Sequence, residues 1–368
     1  MAQNGNLHKA KAAKNDEFYT QLSDIEKELC HYTQHFKNKV VYCNCDNPSW
    51  SNFWRFFHEH FTEFGLRRLI STYYEKDGAP TYKTWYDGGN DKDITDWKRE
   101  QLHGDGDFRS AECLAILDES DIVVTNPAFS LFREYVATLM EHKKKFLIIG
   151  NPNAVTYKEF FPLLKNNEVW IGAKPWSEEM YFGVPKEQEE YLVNNKKEGS
   201  AYVIKDGKIL GRVATVWFTN LDLAKRHEKL ILWKKYTPEE YKTYDNYTAI
   251  NVDKVSDIPV DYIPCWFKCP SAHVCEYACT EGKSDTVALC ENLCNGEIGV
   301  PITFMDKYDP DQFEIVDADY NLANPVILEN GKTGTGRFYT SEDEVKKNEK
   351  KQSKRLYSRI VIRRAKAV

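Results

Sequence analysis

The amino-acid sequence predicts an α/β fold in which a mostly parallel sheet carries helices on both faces. Short apolar segments rich in β-branched residues alternate with longer segments of helical periodicity along the first half of the chain. This alternation is typical of parallel strands joined by crossover helices. The chain has 368 residues, enough for one large domain and a smaller appendage. Ligands bind beyond the carboxyl ends of the strands in such folds, so functional residues are expected directly after strands.

Each predicted strand is a short apolar run, and each predicted helix has apolar residues spaced for one face. The strands are expected at residues 39–45, 66–74, 120–125 and 145–149. The helices are expected at residues 17–35, 50–64 and 130–142. In the second half, the sequence KDGK at 205–208 predicts a hairpin turn, and residues 213–218 and 358–364 predict strands, the last with arginines on its polar side.

Charge is distributed unevenly along the chain. The formal net charge is −6, which by itself argues against a polyanionic partner. However, ten Lys or Arg residues lie between Lys346 and Lys366, with Glu349 as the acid among them, and the first 14 residues add three lysines. A surface that contacts phosphates is therefore compatible with a negative net charge. A charged tail that is simply solvated would give the same pattern.

The N-terminal residues MAQNGNLHKAKAAK are polar and basic, and no apolar stretch follows them, so we expect no secretory signal. Apolar runs also stay well short of the roughly 18 residues that a membrane helix needs. These features predict a soluble, cytoplasmic protein without a membrane partner.

The strongest motif is Thr125-Asn126-Pro127-Ala128-Phe129, which directly follows the strand predicted at 120–125. Such a turn suits a site that binds an exocyclic amine, as on adenine. This amine is a poor nucleophile, because its lone pair is delocalised into the ring. Hydrogen bonds from both N–H groups to fixed acceptors would favour a pyramidal nitrogen. The Asn126 side-chain carbonyl and the Pro127 main-chain carbonyl can be those acceptors, in a turn stiffened by proline. Phe129 can offer a face for an extruded base. An ordinary Asn-Pro turn at a strand end is the structural alternative.

Longer stretches of the sequence resemble the adenine-specific methyltransferase family of the EcoRI modification enzyme. They are residues 105–110 (DGDFRS), 122–135 (IVVTNPAFSLFREY), 146–159 (FLIIGNPNAVTYKE), 217–221 (WFTNL) and 299–308 (GVPITFMDKY). The resemblance extends from about residue 14 to residue 364. It implies a Rossmann-like class I methyltransferase sheet, S-adenosylmethionine as cofactor, and double-stranded DNA as substrate, with a possible cognate restriction endonuclease. The family suggests a GAATTC-like recognition site.

The resemblance also implies which residues hold the cofactor and the target base. The segment DEFYTQ at 16–21 is similar to the motif that holds the methionine end of the cofactor. An acid after the first strand is expected on the methionine ammonium, and an acid after the second strand on the ribose hydroxyls. The Asp-Phe pair of DGDFRS is expected on the cofactor adenine. The cofactor residues implied are Phe18, Tyr19, Thr20, Asp46, Pro48, Glu75, Asp107 and Phe108. Trp217 or Phe218 would sandwich the target base, with one of the two side chains inward and the other outward.

Two features depart from the family pattern. Ala128 stands where a second proline is usual, which loosens the backbone and adds an N–H group. Activity is expected to survive at a full or reduced level, and a disabled enzyme is the alternative. Ser49-Trp50-Ser51-Asn52 stands where the first cofactor motif usually has a glycine-rich turn, so the assignments near residue 46 depend more on position than on motif.

A cysteine-rich island occupies residues 265–294 and is interpreted as an insertion. Its cysteines form three pairs with three residues between the members: Cys265 and Cys269, Cys275 and Cys279, and Cys290 and Cys294. Cysteines four apart on a helix share a face, so the pairs could chelate zinc, with His273 as a further candidate ligand. The pattern from Cys275 to Cys294 also fits a two-helix hairpin closed by two disulfides, and six free thiols in an apolar cluster are a further alternative.

We therefore expect three regions: an N-terminal arm and cofactor-motif helix at 1–38, a catalytic domain at 39–225, and a C-terminal DNA-recognition region at 226–368 that contains the island and a basic tail at 340–366. The leading hypothesis is site-specific methylation of adenine N6, with the target base flipped into the site at Asn126. Two alternatives are methylation of a protein glutamine amide and a catalytically impaired DNA-binding remnant.

Overall fold

The computed structural model describes residues 19–75, 78–262, 296–327, 332–341 and 353–365. The chain forms two compact units. The first comprises residues 1–154 and 169–223, and the second comprises residues 155–168 and 224–368. Within the described residues, no helix has the length and apolar character that crossing a membrane requires.

The α-helices are α1 (Leu22–Leu29), α2 (Thr33–Phe36), α3 (Asn52–Glu59), α4 (Phe61–Phe64), α5 (Ala111–Glu119), α6 (Phe132–Glu141), α7 (Phe161–Lys165), α8 (Lys186–Asn195) and α9 (Asp319–Leu322). The strands of the first unit are β1 (Tyr19–Thr20), β2 (Val40–Cys43), β3 (Arg68–Ser71), β4 (Tyr82–Tyr86), β5 (Lys98–Gln101), β6 (Ile122–Thr125), β7 (Lys145–Gly150), β8 (Trp170–Ile171), β9 (Met180–Gly183), β10 (Tyr202–Lys205), β11 (Lys208–Val213) and β12 (Val216–Thr219). Those of the second are β13 (Thr243–Tyr244), β14 (Tyr247–Asn251), β15 (Ile298–Pro301), β16 (Phe313–Ala318), β17 (Val326–Ile327), β18 (Thr333–Gly334), β19 (Tyr339–Ser341), β20 (Ser353–Arg355) and β21 (Arg359–Arg364).

An eight-stranded sheet in the order β5-β4-β3-β2-β6-β7-β12-β8 organises the first unit. Its centre, β3-β2-β6-β7, is parallel, as the alternation of strands and helices predicts. The outer strands pair antiparallel on both sides, so the sheet is mixed rather than mostly parallel. In this order β3 lies on one side of β2 and β6 lies on the other. The direction in which strands are added to the sheet therefore reverses at β2, and such a reversal opens a crevice at the carboxyl ends of the strands.

Strands β2 and β6 are buried at every position because the sheet is covered on both faces. Such strands have continuous apolar runs rather than alternation, which is why the sequence predicted them. The core on one face includes Leu29, Trp54 and Phe57, whose side chains are fully buried. The helices predicted at 17–35 and 50–64 are each divided, into α1 with α2 and α3 with α4.

The predicted turn at 205–208 is confirmed as the β10–β11 hairpin, where Lys205 pairs with Lys208. Asp206 and Gly207 have φ values of 50° and 72°. Two consecutive left-handed residues are what a tight type I′ hairpin requires, and Asp-Gly is a favoured pair for it. The hairpin belongs to a second sheet of the first unit, in the order β1-β9-β11-β10.

The second unit contains a five-stranded sheet in the order β13-β14-β15-β21-β16. The strand predicted at 358–364 is confirmed as β21, but its expected alternation is wrong. Ile360, Val361 and Ile362 are all buried because β21 pairs with β15 on one side and β16 on the other. Arg359 is also buried, and its Nη2 lies 2.6 Å from Asp253 Oδ1.

Candidate active site at the strand ends

A cavity of about 540 Å³ lies at the carboxyl ends of β2, β3 and β6, inside the first unit. This volume is within the usual range for small-molecule sites. The predicted site residues that line it are Tyr19, Thr20, Asp46, Glu75, Asp107, Phe108, Asn126, Pro127 and Ala128. The structure therefore brings together, in one cavity, residues that are up to about a hundred positions apart in the sequence.

Asp46 is buried just beyond β2, and three hydroxyl groups surround it. Ser51 Oγ donates to Asp46 Oδ1 and Thr125 Oγ1 donates to Asp46 Oδ2, both at 2.6 Å. Ser71 Oγ donates to the Asp46 main-chain carbonyl. Ser51 also caps α3 by accepting from the Phe53 and Trp54 amides. The carboxylate is thus fixed in place, and each oxygen keeps acceptor capacity for a ligand.

Burial governs the ionisation of Asp46. It raises the pKa of the carboxyl to about 6, while the hydrogen bonds from Ser51 and Thr125 act in the opposite direction. Desolvation disfavours the charged form, and hydroxyl donors favour it. Among the described residues, burial and two hydroxyl donors are the causes that act on this pKa, so a cationic group that entered the cavity would provide a countercharge.

The segment between β2 and α3 replaces a glycine-rich turn with an aromatic and polar one. The Trp50 ring meets the Tyr19 ring edge-on at 4.7 Å, and both residues line the cavity. Asn52 Nδ2 donates to the Thr20 carbonyl at 2.7 Å. These contacts tie β1 to the start of α3, so the described part of the N-terminal motif forms one wall of the cavity.

Glu75 follows β3 and is half-buried on the cavity wall. Its amide donates to the Asp105 carbonyl at 2.9 Å, which brings the loop before α5 against the end of β3. Gly106 makes this approach possible. Its φ is +76°, and a Cβ there would lie 2.0 Å from the Tyr73 carbonyl oxygen. Only glycine fits so close a backbone contact at such a φ.

Asp107 and Phe108 line the cavity from the same loop. Arg109 donates to Asp107 through Nε at 2.8 Å and Nη2 at 2.5 Å, and this ion pair lowers the pKa of Asp107. Phe108 is buried and meets the Tyr135 ring edge-on at 5.1 Å. Tyr135 in turn donates to Asn44 Oδ1. The wall is therefore rigid, and Asp107 stays ionised at neutral pH.

The turn after β6 lines the cavity, and Asn126 Oδ1 is buried. Asn126, Pro127 and Ala128 line it, and Thr125 before them is buried and bonded to Asp46. Ala128 has φ −55° and accepts a hydrogen bond from the Leu131 amide at 3.0 Å, which starts a 3₁₀ helix at Phe129–Leu131. The turn that carries the Asn126 side-chain amide and the Pro127 main-chain carbonyl is therefore held to the buried acid through Thr125.

Several predicted site residues do not line this cavity. Pro48 is half-buried outside it, and Phe129 packs against the core. The expectation that one of Trp217 and Phe218 points outward is wrong. Both are fully buried on β12, Trp217 against Phe53 and Phe218 against Phe132. A strand covered on both faces buries both sides, which alternation alone does not reveal.

Other predictions fall on parts of the chain that the structure does not describe. Phe18 and the six cysteines of the island lie outside the described residues. Within the described residues, no group of His, Cys, Asp or Glu side chains could hold a metal ion. Nothing in the described part of the molecule supports the zinc hypothesis.

Ser51, Gly106 and Tyr135 also line the cavity but were not among the predicted site residues. Two of them had a local signal. Ser51 stands one residue before a helix, where serine is a favoured cap, and Gly106 lies in the turn-forming sequence Asp-Gly-Asp. Tyr135 had no such signal, because its contact with Asn44 joins elements that are distant in sequence.

Comparison with known proteins gives consistent results over nearly the whole chain. The family described as "Adenine-specific methyltransferase EcoRI" matches residues 6–277 and 290–365. The unmatched segment, 278–289, is shorter than the predicted insertion at 265–294. The type II methyltransferase M.EcoRI of Escherichia coli is 40% identical over 344 residues, covering 90% of this chain and 94% of that protein.

Two further relatives come from Mycoplasma. M.MpnI of Mycoplasma pneumoniae is 36% identical over 361 residues, covering 97% of both chains. M.MgeORF184P of Mycoplasma genitalium is 33% identical over 364 residues, covering 97% of this chain and 98% of the relative. Both are described as type II methyltransferases. No solved structure matches the chain significantly.

Proposed function

The chain belongs to the EcoRI family of adenine-specific methyltransferases, and on that premise we propose that it methylates adenine N6 at a specific site in duplex DNA as the modification enzyme of a type II system. The observation that carries this proposal is the shared cavity. The Asn126-Pro127 turn and the acids Asp46, Glu75 and Asp107 line the same 540 Å³ space.

The chemistry of the cavity wall fits S-adenosylmethionine, which would supply a methyl group on a sulfonium centre. Asp46 is a buried carboxylate suited to the methionine ammonium, a charge-assisted contact. Glu75, on the same cavity wall, is proposed to accept from the ribose hydroxyls. Phe108 offers an aromatic edge and Asp107 an acceptor for the adenine end. Tyr19 and Thr20 are proposed to contact the methionine end of the cofactor, as the resemblance of the N-terminal motif implies.

Asn126 and Pro127 are proposed to hold the amino group that receives the methyl. Their side-chain and main-chain carbonyl oxygens accept from its two N–H groups, which favours a pyramidal nitrogen whose lone pair is available for attack. The excess proton leaves after transfer, so no titrating base is needed in the turn. Because Thr125 anchors the turn to Asp46, the acceptors are prepositioned rather than recruited.

The adenine must leave the duplex to reach this turn, since the amino group lies inside the base stack. We propose that residues 226–368 recognise the DNA sequence, with Lys and Arg on phosphates and a few side chains on base edges. The catalytic domain is proposed at 39–225, with 1–38 as the arm that completes the cofactor site. No metal is part of the proposal.

A labelling experiment tests this function. The full-length protein is incubated with S-adenosylmethionine tritiated on the methyl group and with plasmid DNA, and the DNA is digested to nucleosides. The proposal expects label in N6-methyldeoxyadenosine. Label in methylcytosine, or no label in DNA while a release-factor-type protein in a parallel reaction is labelled, contradicts it. Sequencing that detects N6-methyladenine then identifies the recognition site.

A further inference from the structure

Residues 229–235 of the second unit show an alternation of exposed and half-buried side chains. Lys229, Ile231, Trp233 and Lys235 are exposed, and the residues between them are half-buried. Ile231 is 89% exposed and Trp233 67%. Exposure that alternates at every second residue is typical of an extended chain with one face covered by the protein. We call the exposed set the outer stripe: Lys229, Ile231, Trp233 and Lys235.

The backbone under the outer stripe is held at both ends. The Leu230 amide donates to Gln312 Oε1 at 2.7 Å, and Gln312 Nε2 donates back to the Leu230 carbonyl at 2.7 Å. The Val260 amide donates to the Lys234 carbonyl at 2.8 Å. Gln312 is itself buried. Ile231 and Trp233 are therefore exposed on a segment whose backbone is anchored on both sides of them.

The charges of the segment are divided between its two faces. On the covered face, Lys234 Nζ lies 2.7 Å from Glu240 and 3.2 Å from Asp257, and 5.7 Å from the centre of the Trp233 ring. On the outer face, Lys229 and Lys235 make no ion pair with any residue that the structure describes. The apolar pair is thus flanked on each side by an exposed lysine.

Two large apolar side chains exposed on the same face of an anchored segment form a candidate interaction surface. Its flanking lysines select a polyanion. Lys229 and Lys235 are six residues apart, which is about 20 Å in an extended chain. This length spans about six phosphates of one DNA strand. Some DNA-binding proteins place basic side chains on phosphates and insert an apolar side chain between base steps. The inserted side chain opens the groove and unstacks the bases.

We propose that the outer stripe contacts duplex DNA, with Lys229 and Lys235 on phosphates and Ile231 and Trp233 as an apolar wedge against the bases. The proposal rests on the proposed function, which makes duplex DNA the substrate. Beyond the proposed function, it names four residues that contact the DNA and gives each of them a physical role.

The test compares two double variants with one matched control in the full-length protein. Ile231→Ala with Trp233→Ala removes the wedge, and Lys229→Gln with Lys235→Gln removes the charges. Ile327→Ala is the control, because Ile327 is 81% exposed in the same unit and lies outside the stripe. Binding to linearised plasmid DNA is measured by filter retention over a range of salt concentrations. Titration with S-adenosylhomocysteine shows that each variant keeps its fold.

The wedge variant is expected to bind DNA at least about tenfold more weakly, in line with the loss of a base-stacking side chain. The charge variant is expected to lower the slope of log affinity against log salt by about two, one per phosphate contact. Ile327→Ala should match the wild type. If both double variants bind as the control does while the wild type methylates DNA, the inference fails and the proposed function stands.

Two other outcomes are distinguishable. If the wild type neither binds nor methylates DNA, the proposed function itself fails, and the inference fails with it. If the wedge variant changes the oligomeric state in sedimentation and leaves DNA affinity unchanged, the stripe binds a second copy of this chain, which overturns the DNA assignment.

Discussion

Thr125 donates a hydrogen bond from Oγ1 to Asp46 Oδ2 at 2.6 Å, and this contact joins the end of β6 to the end of β2. Both side chains are buried. Thr125 directly precedes Asn126, so the acid proposed for the cofactor and the amide proposed for the target base are connected by one hydrogen bond and one peptide link. The position of each group therefore depends on the other.

Replacement of Thr125 tests that connection. Thr125→Val has a similar shape but lacks the donor, so we expect it to destabilise the protein by about 1.5–3 kcal/mol, the range for hydrogen bonds to charged groups. Thr125→Ser keeps the donor and should retain most of the cofactor affinity. Urea unfolding and titration with S-adenosylhomocysteine measure both effects. Equal losses in the two variants would show that the hydroxyl does not matter.

Cofactor binding should depend on pH through Asp46. Burial raises the pKa of this carboxyl to about 6, and only the ionised form can pair with the methionine ammonium. Affinity for S-adenosylhomocysteine should be constant above about pH 7. As the pH falls through 6, the affinity should decrease by up to about tenfold per pH unit. Calorimetry from pH 5 to 8 measures this. Asp46→Asn should bind weakly at every pH, and a variant that kept the wild-type profile would refute the assignment.

Ala128→Pro should stabilise the turn. Ala128 has φ −55°, within the proline range, and its N–H donates no hydrogen bond within the described residues. A compatible proline adds about 0.4–1 kcal/mol by restricting the unfolded chain, and methyl transfer should be no lower than in the wild type. Ala154→Pro is the control, because the Ala154 amide donates to Asn151 at 2.9 Å and that bond would be lost. Transfer abolished by Ala128→Pro would contradict the geometry.

Gly106→Ala should damage the cavity more than an ordinary glycine replacement. The new Cβ would lie 2.0 Å from the Tyr73 carbonyl oxygen, at a φ of +76°. Gly207→Ala is the matched control, with a φ of +72° and no atom within 4 Å of the new Cβ. The control should cost about 1–2 kcal/mol from the left-handed conformation alone. Gly106→Ala should cost more and weaken cofactor binding, and equal unfolding free energies would contradict the close approach.

The central strands of the fold could be predicted from the sequence, since buried parallel strands are continuous apolar runs followed by polar turns. The residues after β2, β3 and β6 were therefore found. Contacts between those turns could not be predicted, because Thr125 and Asp46 meet only through the pairing of β2 with β6. Trp217 and Phe218 were misjudged for a related reason. Local alternation assumes one exposed face, whereas β12 has none.

Asn126 is the residue on which the proposed chemistry depends, and Asn126→Ala tests it most directly. The measurement is transfer of tritiated methyl to adenine in duplex DNA, made alongside titration with S-adenosylhomocysteine. We predict that Asn126→Ala binds S-adenosylhomocysteine within about twofold of the wild type, while methyl transfer falls by at least about a hundredfold, as expected when a fixed acceptor is removed. Transfer at the wild-type rate would contradict the proposal that this side chain holds the amino group.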